Sequence, residues 1–203
     1  MQHKKAIREH ITICVYCGSK TGSDPINRDS AEQLGTLLAR RKIRMVYGGG
    51  SIGLMGITAR AAMQAGGHVS GIITTHIDKL EAGLRELSIR HEEATMHARK
   101  MRMFEMSDGF IALPGGSGTL DEIAEILSWR QLGLHHKPCA LLNNTHYWDP
   151  LMQLLHNMHA QGFLDVSGRD YFRLAPSVEE AVDYIVDRAG RNIASPLASG
   201  AGS

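Results

Sequence analysis

Two hydrophobic periods take turns along this chain. Short, largely apolar runs occur at 11–17, 43–47, 68–73, 109–113 and 138–142. Several are bounded by glycine or proline, and runs of this length read as buried strands. Between them apolar residues recur at helical spacing. Ala31, Leu34, Leu37 and Leu38 mark one helix, and Leu54 to Ala65 another, ended by Gly66-Gly67. A third covers Thr95 to Ser107, and a fourth carries Leu120, Ile123, Ala124 and Leu127. Leu151, Leu154, Leu155 and Met158 mark a fifth; Val178, Ala181, Val182, Ile185 and Val186 mark the last, with Ser177 as its N-cap. The polar stretch 75–93 has little pattern; within it Glu86 to Arg90 predicts a short strand, as does Tyr171 to Leu174. Repeated strand–helix units predict an α/β chain: a Rossmann-like, doubly wound parallel sheet with helices on both faces. The expected organisation is a polar arm over 1–10, one domain over 11–189, and a disordered tail over 190–203, where Ala, Ser and Gly accumulate.

Three glycine-bearing turns follow predicted strands: Cys17-Gly18-Ser19, Gly48-Gly49-Gly50, and Pro114-Gly115-Gly116-Ser117-Gly118-Thr119. In a parallel sheet all three open on the carboxyl edge, where such folds bind ligands. The third turn leads into a helix, so its backbone N–H groups and the helix dipole suit an anion such as phosphate. It places the Glu122 carboxylate in the first helical turn. Thr119-x-x-Glu122 also fits a capping box, with Thr119 as N-cap, which requires no ligand. Gly48-x-Gly50-x-x-Gly53 fits the dinucleotide fingerprint, but it follows the second strand. No acid stands at Ile72, Ile73 or Thr74 to hold a ribose. The turn therefore reads as nucleotide-binding in a loose sense, not as an NAD site.

Composition narrows the function classes. A chain of 203 residues, 43% hydrophobic, is long enough for one well-buried core. A net charge of +1 argues against a general nucleic-acid binder. No apolar run reaches membrane-spanning length and the first ten residues lack a signal-peptide core, so the expectation is a cytoplasmic protein. Three cysteines allow no complete disulfide framework. Cys14-x-x-Cys17 lies in a strand, where residues three apart face opposite ways, so the expectation is core packing for Cys14 and a strand-end place for Cys17.

A second charged group lies at Met96-His97-Ala98-Arg99-Lys100. On a helix Met96, Arg99, Lys100 and Met103 share a side, so two cations join an apolar stripe. Snorkelling of the cations to water explains that pattern equally well. His156 and His159 are one turn apart with no third ligand in the pattern, and His135-His136 reads as a helix-terminal loop, so no metal and no cofactor are expected.

Pro114-Gly-Gly-Ser-Gly-Thr-Leu-Asp-Glu122 and Met96-His-Ala-Arg-Lys100 together resemble the PGGxGTxxE and MHxRK signatures of the LOG ("lonely guy") family, cytokinin riboside 5′-monophosphate phosphoribohydrolases often labelled lysine decarboxylases. The similarity runs from Val15-Tyr-Cys-Gly-Ser19 through Tyr47-Gly-Gly-Gly-Ser-Ile-Gly-Leu-Met-Gly56 to Trp129-Arg-Gln-Leu-Gly-Leu-His135 and Lys137-Pro138. It implies a Rossmann-like homodimer that cleaves a small-molecule nucleotide, a nucleoside 5′-monophosphate, into free base and ribose 5-phosphate. The resemblance implies Arg99 and Glu122 as catalytic residues. For substrate binding it implies Glu81, Arg99, Lys100, Gly115, Gly116, Ser117, Gly118, Thr119, Leu120 and Ser128, and the other glycine turns add Gly18, Ser19, Gly49 and Gly50. The chain departs from many relatives at Ser117, where Tyr is common, at Thr74-Thr75-His76, and at Arg130. AMP and N6-modified adenine ribotides both remain candidate substrates.

The competing reading is a non-catalytic carrier of a nucleotide or of molybdenum cofactor on the same fold, against which Arg99 and Glu122 stand. A DNA-processing relative and an NAD-dependent dehydrogenase fit less well, the first for lack of basic charge and the second for lack of the ribose acid.

Overall fold

A computed structural model describes residues 10–75, 87–166 and 168–194. Seven parallel strands form one sheet in the order β4-β3-β2-β1-β5-β6-β7: β1 (Thr12–Tyr16), β2 (Arg44–Tyr47), β3 (Val69–Thr74), β4 (Ile89–Glu93), β5 (Gly109–Ala112), β6 (Cys139–Leu142) and β7 (Arg173–Ala175). The described helices are α1 (Pro25–Arg40), α2 (Gly53–Gln64), α3 (Met96–Met106), α4 (Ser117–Gln131), α5 (Asp149–Ala160), α6 (Gly168–Tyr171) and α7 (Val178–Ala194). This is the α/β, Rossmann-like arrangement that the alternating periods predict.

The central strands are buried on both faces, which is why they read as near-continuous apolar runs. Alternate residues feed two cores. Ile13, Val15, Tyr47 and Ile111 pack with Leu34, Leu54 and Ile185 of α1, α2 and α7. Cys14, Tyr16, Val46 and Phe110 pack with Met103, Ile123 and Leu155 of α3, α4 and α5. Cys14 and Cys17 therefore fall in opposite cores; both, with Cys139, are free thiols, and burial raises the pKa of each.

Helix ends follow their sequence signals. Asp24 caps α1 with Pro25 in its first turn; Thr95 caps α3 by accepting from the Ala98 N–H at 3.1 Å; the Ser177 hydroxyl accepts from the Glu180 N–H. The predicted strand at 86–90 lies three residues later, at 89–93. It is the sheet edge and largely exposed, so no apolar run marks it. The last strand is Arg173–Ala175, preceded by the single-turn α6, which the sequence pattern does not signal. α7 passes Gly190 and continues to Ala194. Among the described residues no helix is long and apolar enough to cross a membrane.

β1 has β2, β3 and β4 on one side and β5, β6 and β7 on the other. The chain direction across the sheet reverses between β1 and β5, and a crevice opens there beyond the carboxyl ends. The turn after β1 and the turn after β5 meet at this point, joined by the Gly18 N–H donating to the Pro114 carbonyl at 3.1 Å.

Candidate active site at the carboxyl edge

The glycine turn after β5 is the centre of the site. α4 begins at Ser117 with Gly116 as N-cap, and the Leu120 N–H bonds to the Gly116 carbonyl at 3.0 Å. The N–H groups of Ser117, Gly118 and Thr119 have no carbonyl one turn earlier and point out of the helix start. Ser117 and Gly118 are exposed, as is Leu120. The capping-box expectation fails: Thr119 lies inside the helix, 4% exposed, and packs on Gly115, where a Cβ would stand 2.1 Å from the threonine Oγ1. Glu122 consequently lies in the second helical turn, not the first. Gly116 and Gly118 have nothing within 4 Å of an added Cβ, so their lack of side chains leaves open space over the helix start.

α3 delivers Arg99 to the same edge. The side chain is 8% exposed and bonds to backbone carbonyls of β3 and of the turn after β2. Its Nε donates to the Ile72 carbonyl at 2.9 Å and its Nη2 to the Gly48 carbonyl at 3.1 Å. The remaining Nη1 donates to Glu122 Oε1 at 3.4 Å. The amphipathic ambiguity of α3 is thus resolved residue by residue: Arg99 and Met103 turn inward, while Met96 is 44% exposed. Lys100 is largely covered and pairs with Asp121 at 3.0 Å and Glu125 at 3.3 Å. Burial pulls its pKa down, but the carboxylates of Asp121 and Glu125 more than reverse this, leaving it above the ordinary lysine value.

The Glu122 side chain is 12% exposed. Burial raises its pKa, the Arg99 guanidinium opposes the rise, and Asp121 adds to it, leaving the carboxyl at about 7. A buried carboxyl with a pKa of about 7, paired with a guanidinium fixed by two backbone carbonyls and close to an open helix N-terminus, suits acid–base or cation-stabilising work.

The other predicted residues lie in different places. Gly18 is buried against Gly115, and Ser19 is half-buried beside it. Gly49 and Gly50 are buried beyond β2, and Gly49 packs on Ile73. Ser128 lies two turns along α4 from Glu122, exposed, with its hydroxyl donating back to the Ala124 carbonyl. Glu81 lies outside the described residues. His135 is a buried structural residue: Nε2 pairs with the Ile126 carbonyl at 2.9 Å, and Nδ1 accepts from the Lys137 N–H. Among the described residues no three His, Cys, Asp or Glu side chains converge as a metal site.

Four further residues shape the site in ways the sequence patterns do not show. Asp121 and Glu125, spaced i, i+4 on α4, hold Lys100. Tyr147, from the turn after β6, donates its hydroxyl to the Gly115 carbonyl at 2.6 Å. Its position just past a carboxyl strand end is the signal that points to it. Gly48, part of the glycine turn after β2, is the residue whose missing side chain admits Arg99: an added Cβ would stand 1.9 Å from Nη2.

A family model described as "Possible lysine decarboxylase" matches residues 55–185. A probable cytokinin riboside 5′-monophosphate phosphoribohydrolase of Oryza sativa subsp. japonica, LOGL9, is 44% identical over 170 residues, covering 84% of this chain and 75% of the relative. A cytokinin riboside 5′-monophosphate phosphoribohydrolase of Rhodococcoides fascians is 41% identical, covering 84% of this chain and 87% of that one. Among solved structures, the molybdenum cofactor binding protein of Rippkaea orientalis superposes with a TM-score of 0.67 at 24% identity, covering 89% of this chain and 98% of that one, which establishes a shared fold. With a family model spanning more than half its length and relatives above 40% identity over most of it, this chain belongs to the LOG family, whose model bears the lysine decarboxylase description.

Proposed function

We propose that this chain hydrolyses the N-glycosidic bond of a purine nucleoside 5′-monophosphate, giving free base and ribose 5-phosphate. The observation that carries the reading is the buried Arg99–Glu122 pair beside the open N-terminus of α4. The 5′-phosphate sits on the N–H groups of Ser117 to Thr119, with the helix dipole behind it. That anchor fixes the ribose across Glu122 and allows binding energy from the phosphate to orient the scissile bond. Cleavage develops positive charge on the ribose, as in glycoside hydrolysis. Ionised Glu122 stabilises that charge and accepts a proton from the attacking water. The role of Arg99 is to hold Glu122 and the substrate in place. Lys100 acts through the carboxylates it binds, setting the face of α4 that flanks Glu122. Ser128, two turns along that helix, faces the base end of the substrate, with Glu81 as its expected companion.

The enzyme acts as a cytoplasmic homodimer on AMP or an N6-modified adenine ribotide. Leu132 and Leu134, 72% and 67% exposed just after α4, supply apolar surface for the second subunit. The test is base release from AMP and from isopentenyladenosine 5′-monophosphate, followed by chromatography beside the matching nucleosides. Free base from a nucleotide and none from its nucleoside is the expected result. Tight nucleotide binding without release of base would favour the carrier reading.

A further inference from the structure

A cleft of about 330 Å³ adjoins the glycine loop on the side of α1 and α2. The Arg99–Glu122 pair lies on the other side of the loop, with α3 and α4. One wall of the cleft is the turn after β1, Ser19 to Gly22; the other is Gly115-Gly116 with the ring of Tyr147. The volume lies in the range of small-molecule sites. It shares Gly115 and Gly116 with the N-terminus of α4, so whatever occupies it continues from the group bound there.

The chemistry of the walls is specific. Lys20 is the single charged residue among the described lining residues, and no carboxylate lies among them. Ser19 and Thr21 add hydroxyls. Asn27 also lines the cleft; it is 8% exposed, and its amide oxygen is buried with no hydrogen-bond partner. A buried amide oxygen without a partner carries a penalty that a ligand hydroxyl removes. Turning the carboxamide over exchanges oxygen for nitrogen at little change in shape, and a hydroxyl pairs with either. A lone cation, two hydroxyls and an unsatisfied amide suit a group that is both anionic and hydroxylated.

We propose that this cleft is a subsite for a hydroxylated group joined to the nucleotide through a second phosphate, so that the chain binds nucleoside diphosphate sugars of the ADP-ribose type. The inference rests on the reading of the α4 N-terminus as the 5′-phosphate site. Lys20 pairs with the distal phosphate, and Asn27 pairs with a hydroxyl of the distal sugar.

The test is calorimetric titration of the full chain with AMP and with ADP-ribose, alongside base release from AMP. ADP-ribose should bind about tenfold more tightly than AMP, the scale of one well-made hydrogen bond. Lys20→Met and Asn27→Leu should each remove most of that preference and leave base release from AMP unchanged. Lys20 is exposed, so its variant keeps the test valid if the buried Asn27→Leu variant fails to fold. Binding of ADP-ribose no tighter than that of AMP would overturn the inference while base release from AMP upheld the proposed activity. Equal weakening of both ligands by Lys20→Met would also overturn it, by assigning Lys20 to the 5′-phosphate. Tight ADP-ribose binding sensitive to Lys20, without base release, would sustain the subsite and remove the activity. Binding of neither ligand would remove both.

Discussion

The glycine turn after β2 and the glycine turn after β5 look alike in sequence, and each lies at the carboxyl edge of the sheet. At Gly48 the missing side chain is filled by the protein itself: Arg99 Nη2 occupies the space and bonds to the glycine carbonyl. At Gly116 and Gly118 nothing fills the space, and the adjoining N–H groups face outward from the start of α4. One turn therefore seats Arg99, and the other leaves open space over a helix start. A glycine motif gives the same pattern in both cases; what distinguishes them is whether a distant residue arrives to fill the gap.

That contrast breaks most visibly at Gly48. A Gly48→Ala substitution forces Arg99 out of its place, and activity should fall about 100-fold or more, since small misplacements of positioning groups have effects of that size. The same change overpacks a buried corner and should destabilise the fold by about 1–3 kcal/mol. Assays of base release and thermal melts on one preparation would check both.

The pH profile sharpens the role of Glu122. With its carboxyl at about 7, kcat/KM should fall about tenfold per pH unit below that value and level off above it. Stability should move the opposite way. The folded pKa lies above the usual 4.5, so the folded state binds the proton more tightly. This contribution is present at low pH and is lost as pH rises from 4.5 to about 7. Glu122→Gln should therefore melt higher than the parent at pH 8 and match it at pH 5. A parent melting temperature that does not change relative to the variant over this range would contradict the buried, titrating carboxyl.

The smallest effect is expected at Gly118. It lies in the first turn of α4 with open space around it, so Gly118→Ala should stabilise the fold by up to about 1 kcal/mol. The new methyl crowds the phosphate position, and KM for the nucleotide should rise several-fold while kcat changes little. Gly48→Ala and Gly118→Ala are the same chemical change, and opposite signs in stability are the mark of the difference between the two turns.

Much of this was legible in the chain. Alternating periods give the parallel sheet, and three glycine turns after strands give its functional edge, because both depend on local spacing. The pairing of Arg99 with Glu122 depends on a long-range approach, 23 residues apart in sequence, through a gap left by Gly48. Periodicity cannot reveal it, and only the family resemblance names the pair. Thr119-x-x-Glu122 misleads because the helix begins two residues before Thr119, at Ser117, where Gly116 caps it without a side chain. β4 is predicted three residues too early, at 86–90, because an exposed edge strand carries no apolar run to fix its bounds.

The central claim is that Glu122 carries out the chemistry on a nucleotide held by the glycine loop. The most direct measurement is single-turnover base release by Glu122→Gln at saturating nucleotide, with nucleotide affinity measured by calorimetry on the same sample. Affinity close to that of the parent with turnover abolished is the predicted result. Base release at the parent's rate would contradict the account.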